Sequence, residues 1–132
     1  MNVVHVDDTL EYDGSQLQTS FFDVHAPGAE DALVTFRGPT GVPGAHGPAA
    51  APAIASPLMA HVLVEHRDMS LRAGLLAQRL LVRLAAGFIR GRAGVPIEIR
   101  GAALLVGDAR LSVSLVTPTP RGVLIHLGVN VE

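Results

Sequence analysis

The sequence predicts one α+β domain, a mainly antiparallel sheet with one long helix packed on its apolar face. Three observations lead there. Short β-rich runs bounded by turn residues fill the N-terminal third. A single long helical stretch, residues 71–90, follows a capping serine. Two C-terminal segments then alternate apolar and polar residues across a proline-glycine turn. At 132 residues the chain has the length of one domain spanning 1–132, with a core burying roughly 68% of the unfolded surface.

Residues 2–6 read as the first strand. Tyr12-Asp13-Gly14-Ser15 carries the Asp-Gly signature of a tight hairpin turn. Residues 21–24 and 32–37 are further strands. Residues 38–57 are mostly Gly, Pro and Ala around His46, and they read as a mobile loop, either a plain surface excursion or a lid over a site. Residues 60–66 form a strand. Ser70 or Asp68 caps the helix, and Gly91 ends it. Residues 97–106 form one strand, which Gly107-Asp108 turns into residues 110–117. Residues 118–122 turn the chain into a last strand at 123–131, so near the C-terminus that the chain reads as a short form of a longer one.

Composition excludes several chemistries. The chain has no cysteine, so disulfides, thiolate metal sites and cysteine thioester mechanisms are absent. It has no lysine either, and all ten basic residues are arginine, which removes Schiff-base catalysis and a lysine-bearing phosphate loop. The formal net charge of −2 gives no footprint for nucleic acid or an anionic membrane. No signal peptide or membrane span is visible, so a cytoplasmic location is expected.

The C-terminal strands carry the most chemistry. Leu111, Val113 and Leu115 share one face, as do Val123, Ile125, Leu127, Val129 and Val131 on the next strand. If these faces meet the helix, the opposite face carries Arg110, Ser112, Ser114, Leu124, His126, Gly128 and Asn130. Aligning the two apolar sets puts Ser114 or Ser112 opposite His126, about 5 Å away at Cβ. Gly128 then leaves a gap through which a ligand approaches the backbone. This face is a solvated sheet surface, the floor of a binding pocket, or the seat of a Ser-His pair.

On the helix, Arg72, Arg79, Arg83 and Arg90 fall within about 40° of one another. They form either an exposed flank or a stripe for an anion or a partner, with no acidic residue on the helix to pair with them. Gln78 lies away from this stripe among apolar residues and needs a hydrogen-bond partner. His61 and Glu65 share a strand face but sit about 13 Å apart, and His66 points the other way, so no metal site is expected.

The runs Gln78-Arg79-Leu80-Leu81-Val82, Arg110-Leu111-Ser112-Val113-Ser114 and Leu124-Ile125-His126-Leu127-Gly128-Val129-Asn130-Val131 resemble the family catalogued as domain of unknown function 366. Tyr12-Asp13-Gly14-Ser15-Gln16-Leu17 and Val64-Glu65-His66 fit the same pattern. The order of helix, strand, turn, basic residue, small-residue strand and histidine-bearing strand is more distantly similar to biotin and lipoate protein ligases. That resemblance implies a ligase-like sheet, with Arg110 at the position of the lysine that contacts the acyl-adenylate. Residues 100–104 lack the acid those ligases carry on the preceding strand.

Two functions are therefore expected. The first is binding of a small anionic or acyl-type ligand. Arg110 holds the anion, Ser112, Ser114, Asn130, Gln78 and Arg79 serve as ligand contacts, and Asp13 and Glu65 lie further out. If there is catalysis, His126 is the general acid/base, because its intrinsic pKa lies near neutrality. The second is a non-catalytic, homodimerising interaction domain, because the helix is apolar around more of its circumference than one sheet contact needs. The sequence names no cofactor and leaves open whether the protein is an enzyme.

Overall fold

A computed structural model describes residues 1–40 and 58–130. Strand β1, Asn2–Thr9, is followed by helix α1, Thr19–His25, and strand β2, Ala32–Gly38. Strand β3, Met59–Arg67, leads into helix α2, Leu71–Ala93. Three short strands follow, β4 at Glu98–Arg100, β5 at Ala103–Val106 and β6 at Ala109–Arg110. Strands β7, Ser112–Thr119, and β8, Gly122–Asn130, complete the described chain. The main sheet has the order β1-β2-β3-β8-β7, and β4-β5-β6 form a smaller sheet. Among the strands of the described residues, β1 and β2 alone pair in parallel, beside a single parallel bridge between Tyr12 and Thr40. The expected architecture is present: an α+β fold with a mainly antiparallel sheet and one long helix on an apolar face.

Several local expectations give way to it. The Asp13-Gly14 turn does not close a hairpin, because β1 and β2 run parallel and must be joined by a crossover. Residues 21–24 belong to that crossover, as part of α1 rather than a strand. A short apolar run does not distinguish the two periods, and only Phe22 of α1 is buried. Helix α2 starts as expected, with the Ser70 side chain accepting from the Ala73 N–H, but it runs past Gly91. It stops at Gly94, whose φ of 67° is left-handed and whose N–H caps the Arg90 carbonyl. The strand expected over 97–106 is two strands, broken where Gly101 takes a φ of 60°. The strand expected over 110–117 also divides. Arg110 ends the small sheet and Ser112 opens the main one, with the Leu111 N–H on the Leu104 carbonyl and the Leu111 carbonyl accepting from Asn130 N–H. The loop expected over 38–57 lies outside the described residues except at its ends.

The register of β7 on β8 is the largest correction. Thr119 pairs with Gly122, so the turn between them has two residues, Pro120 and Arg121. This geometry places Leu115, not a serine, opposite His126, and Ser114 opposite Leu127. A shift of one residue moves every side chain to the other face. Ser112 and Ser114 therefore share a face with Ile125, Leu127 and Val129 beneath α2 and the small sheet. Val113 and Leu115 share the face of His126.

Two clusters fill the core, one on each side of the main sheet. Val82, Ala86, Ile97, Leu104 and Leu127 pack between α2, the small sheet and β8. Tyr12, Leu17, Phe22, Ala26, Val34, Phe36, Leu63 and Leu124 pack between α1, its flanking loops and the opposite sheet face.

Candidate functional site

Three of the five buried polar side chains among the described residues, His61, Glu65 and His126, lie on the α1 side. His61 stands opposite Gly128 and Leu63 stands opposite His126, so the two histidines are diagonal neighbours on adjacent strands. Their rings meet, with His61 Nδ1 3.0 Å from His126 Nε2, while His61 Nε2 lies 3.2 Å from the Gly38 carbonyl. A carbonyl only accepts, so Nε2 of His61 carries its proton and Nδ1 of the neutral ring is the acceptor. His126 Nε2–H is then the donor to it, and Nδ1 of His126 is its basic nitrogen. Tyr12, brought in by a bridge to Thr40, stacks on His126 at 3.8 Å between centroids and on His61 at 5.1 Å. Phe36 closes the far side of His61 at 4.9 Å.

Burial decides the charge of this group. Desolvation holds His61 below the ordinary histidine range. Desolvation, with repulsion from His61 added, pushes His126 down to about 3. Burial and the nearby Asp13 carboxylate push the Tyr12 phenol up to about 12. All three rings are neutral at physiological pH. The gap expected at Gly128 is filled, because a Cβ there would meet Met59 Cε at 3.2 Å and the His126 ring at 3.3 Å.

The other sequence-selected residues scatter. Ser112 is buried under the small sheet, its Oγ accepting from the Leu104 N–H at 2.9 Å. Ser114 accepts from Gln78 Nε2 at 2.7 Å and donates to the Ala102 carbonyl at 3.3 Å. Gln78, Ser112 and Ser114 thus tie α2 and the small sheet to β7, and they face away from His126. Glu65 is enclosed, with its two oxygens 2.6 and 3.0 Å from the Arg121 guanidinium and Oε1 3.2 Å from Arg67 Nε. Arg121 also reaches Asp23 at 2.8 Å and the Thr19 carbonyl at 3.2 Å, which fastens α1 to the sheet, and its bonds to Glu65 and then Asp23 hold its pKa above the ordinary arginine value. Arg79 is exposed on α2, and Arg90 donates to the Ile97 carbonyl. Arg110 is exposed at the junction between the sheets, its Nε donating to the Ser112 carbonyl at 3.0 Å. Asn130 lies beside that junction, on the His126 face of β8. Asp13 caps its own turn, with Oδ1 accepting from Ser15 N–H at 2.9 Å and from Ser15 Oγ at 2.5 Å.

Sequence reasoning missed Tyr12, His61 and Arg121 as members of these networks. Strand parity would have put His61 and His126 on one face had the order β3-β8 been known. Nothing in the sequence points to Arg121. No group of three or more metal-binding side chains occurs among the described residues. No helix among them is long and apolar enough to cross a membrane.

Comparison with solved structures places this architecture among the biotin/lipoate ligase-like folds. The chain itself belongs to the family described as Domain of unknown function (DUF366), whose model matches residues 1–132. A protein of unknown function from Pyrococcus horikoshi has the same fold, with a TM-score of 0.87 and 23% identity over 99% of this chain and 73% of that one. The biotin acetyl coenzyme A carboxylase synthetase of Helicobacter pylori, with bound biotinylated ATP, matches at TM-score 0.63 and 12% identity. That match covers 98% of this chain and 61% of the synthetase. LipL1 of P. falciparum, in complex with lipoate, matches at TM-score 0.54 and 9% identity, over 99% of this chain and 48% of that one. No curated protein matches the sequence.

Proposed function

We propose that the protein binds a small acyl-type ligand with an anionic group on the His126 face of the main sheet, beside β7. The observation that carries this reading is the β7 edge of that face, the part left accessible beside the buried His126 and Gly128. Val113 and Leu115 stand next to His126 and Gly128, and Leu115 is more than half exposed. An apolar ligand body lies on this strip, with Arg110 and Asn130 at one end and Asp13 near Tyr12. Arg110 takes the anion, since a guanidinium grips phosphate or carboxylate through two parallel hydrogen bonds. His126 enters as a neutral ring that holds Tyr12 in place, because burial keeps it from exchanging protons near pH 7. Ser112, Ser114, Gln78 and Glu65 take no part, since their polar atoms are committed elsewhere. Fold-level analogy adds support, as two structures of the same fold hold biotinylated ATP and lipoate. Native mass spectrometry with biotinyl- and lipoyl-adenylate analogues tests the reading. Retention of one of them, weakened at least tenfold by Arg110→Ala, is expected. Absence of retention, or equal retention by that variant, overturns it.

A second reading, homodimerisation through α2, is favoured by a specific observation. Leu76, Leu80, Leu84 and Phe88 are 68%, 59%, 63% and 64% exposed along one side of the helix. Lone exposed leucines are ordinary, but a contiguous row of four marks an interaction surface. Light scattering at rising concentration reads this directly. A twofold mass supports it, and a strict monomer sinks it.

A further inference from the structure

The sheet face beneath α2 is only half covered. The helix lies chiefly over β7, β8 and β5. Toward β1, β2 and β3 it leaves an apolar groove of about 360 Å³, walled by Leu33, Val64 and Ile125 of the sheet and by Ala77, Leu81 and Leu84 of the helix. Among the described residues His66 is the one polar side chain on the wall, and it is engaged by Asp31, its Nδ1 3.0 Å from Oδ2. Leu80 and Leu84 form the outer lip of the groove, and Leu76 and Phe88 continue the same side of the helix beyond it, all four exposed. A spacing of four residues makes them one ridge of the helix surface. Met1 and Val3, more than half exposed, extend the same surface over β1.

We propose that this surface is the seam of a twofold dimer, each copy's α2 ridge lying in the partner's groove. The inference rests on the homodimer reading above and names its surface. Three observations select a second copy as the occupant. First, ridge and groove lie side by side on one patch, which is what an isologous contact requires, because a twofold axis between them sets each against its complement. Second, the area suffices. The exposed parts of Met1, Val3, Leu76, Leu80, Leu84 and Phe88 come to roughly 700 Å², against ~800 Å² per partner in an interface of standard size and ~300–600 Å² for the largest apolar patch on a monomer.

Third, the two borders of the patch have opposite charge. Arg79 and Arg83 flank the ridge on the side away from the groove, exposed and without an ion pair among the described residues. Asp7 is exposed on β1 beyond the groove, on the face of Val3 and His5, with its carboxylate 3.7 Å from His5 Nε2. The twofold that seats each ridge in a groove reverses the order of these borders in the partner. Each arginine flank then meets the partner's acidic strand, which steers the encounter and fixes the register.

The absence of cysteine makes the test clean. Val3→Cys and Leu80→Cys are prepared as single variants of the full chain, mixed in equal amounts and oxidised, after light scattering on the unaltered protein. Leu115→Cys, exposed on the opposite sheet face, is the control. The expected result is a dimer mass and a disulfide joining one Val3→Cys copy to one Leu80→Cys copy, with no cross-link from the control. A strict monomer overturns both this inference and the homodimer reading. A dimer in which Leu115→Cys cross-links while the mixed pair does not overturns the seam alone and leaves homodimerisation standing.

Discussion

At the scale of single residues, the His61–His126 pair is the group whose protonation the fold opposes most. Both rings are buried, and each is held neutral by loss of water. An unfolded histidine binds its proton near pH 6.5, whereas His126 in the fold does so only near 3. Between those values the unfolded chain holds more protons than the native one, so stability falls as pH falls. The contribution is complete above about pH 6.5 and is lost progressively toward pH 3. From pH 7 to pH 5 it amounts to about 2 kcal/mol for His126 alone, by linkage between those two pKa values. Carboxylates are ionised in both states over most of that window, so they contribute little to the slope. Urea denaturation at both pH values should show a loss in His126→Asn that is smaller by about 2 kcal/mol than in the unaltered protein, the remaining loss including that of the buried His61. Equal losses in the two proteins would mean that the ring is solvated and free to titrate.

At the scale of elements, Arg121 shows how one turn residue holds a helix. It reaches from the β7–β8 turn to Glu65 on β3 and to Asp23 and Thr19 on α1. Removing only the cation leaves Glu65 enclosed with Arg67 alone, and breaking such a buried pair costs about 3 kcal/mol. Arg121→Ala should therefore be destabilised by roughly that amount, while Arg121→Leu combined with Glu65→Leu should lose less, because no bare carboxylate remains. Denaturation midpoints for the two variants decide it, and a double variant as weak as the single one would show that packing, not charge, holds α1. The same turn explains what was legible in the sequence. The strands β1, β2, β3 and β8, the Ser70 cap and the helix were readable because each depends on local pattern. The face of β7 was not. Val113 and Leu115 look like core residues, and Ser112 and Ser114 look like surface, yet the two-residue turn at Pro120 and Arg121 sets the opposite register. The serines tolerate burial because Leu104, Gln78 and Ala102 supply their hydrogen bonds. Those partners come from elements distant in sequence, which no local pattern reveals. The parallel pairing of β1 and β2 was hidden for the same reason, and with it the helical state of residues 21–24.

At the scale of the whole molecule, the sheet separates two surfaces. The proposed ligand strip, with Val113, Leu115 and Asn130, lies on the His126 face, and Arg110 stands at its end where β6 meets β7. The proposed dimer seam, with Leu76, Leu80, Leu84 and Val3, lies on the other. Between them run β3 and β8, paired without a break from Met59–Asn130 to Arg67–Gly122, with buried side chains on both sides. A packed sheet of this kind transmits strain only if it has a second arrangement to move to, and its paired register offers none without flipping every side chain. The two surfaces should therefore act independently. Arg110→Ala should lose the adenylate analogue and keep the dimer mass. Leu80→Asp with Leu84→Asp should become monomeric and retain the analogue within about twofold, a coupling free energy below ~0.5 kcal/mol. Native mass spectrometry reads mass and ligand occupancy in the same spectrum. Loss of ligand on forming the monomer would show that the seam and the strip are one device, with the dimer contact shaping the pocket across the sheet.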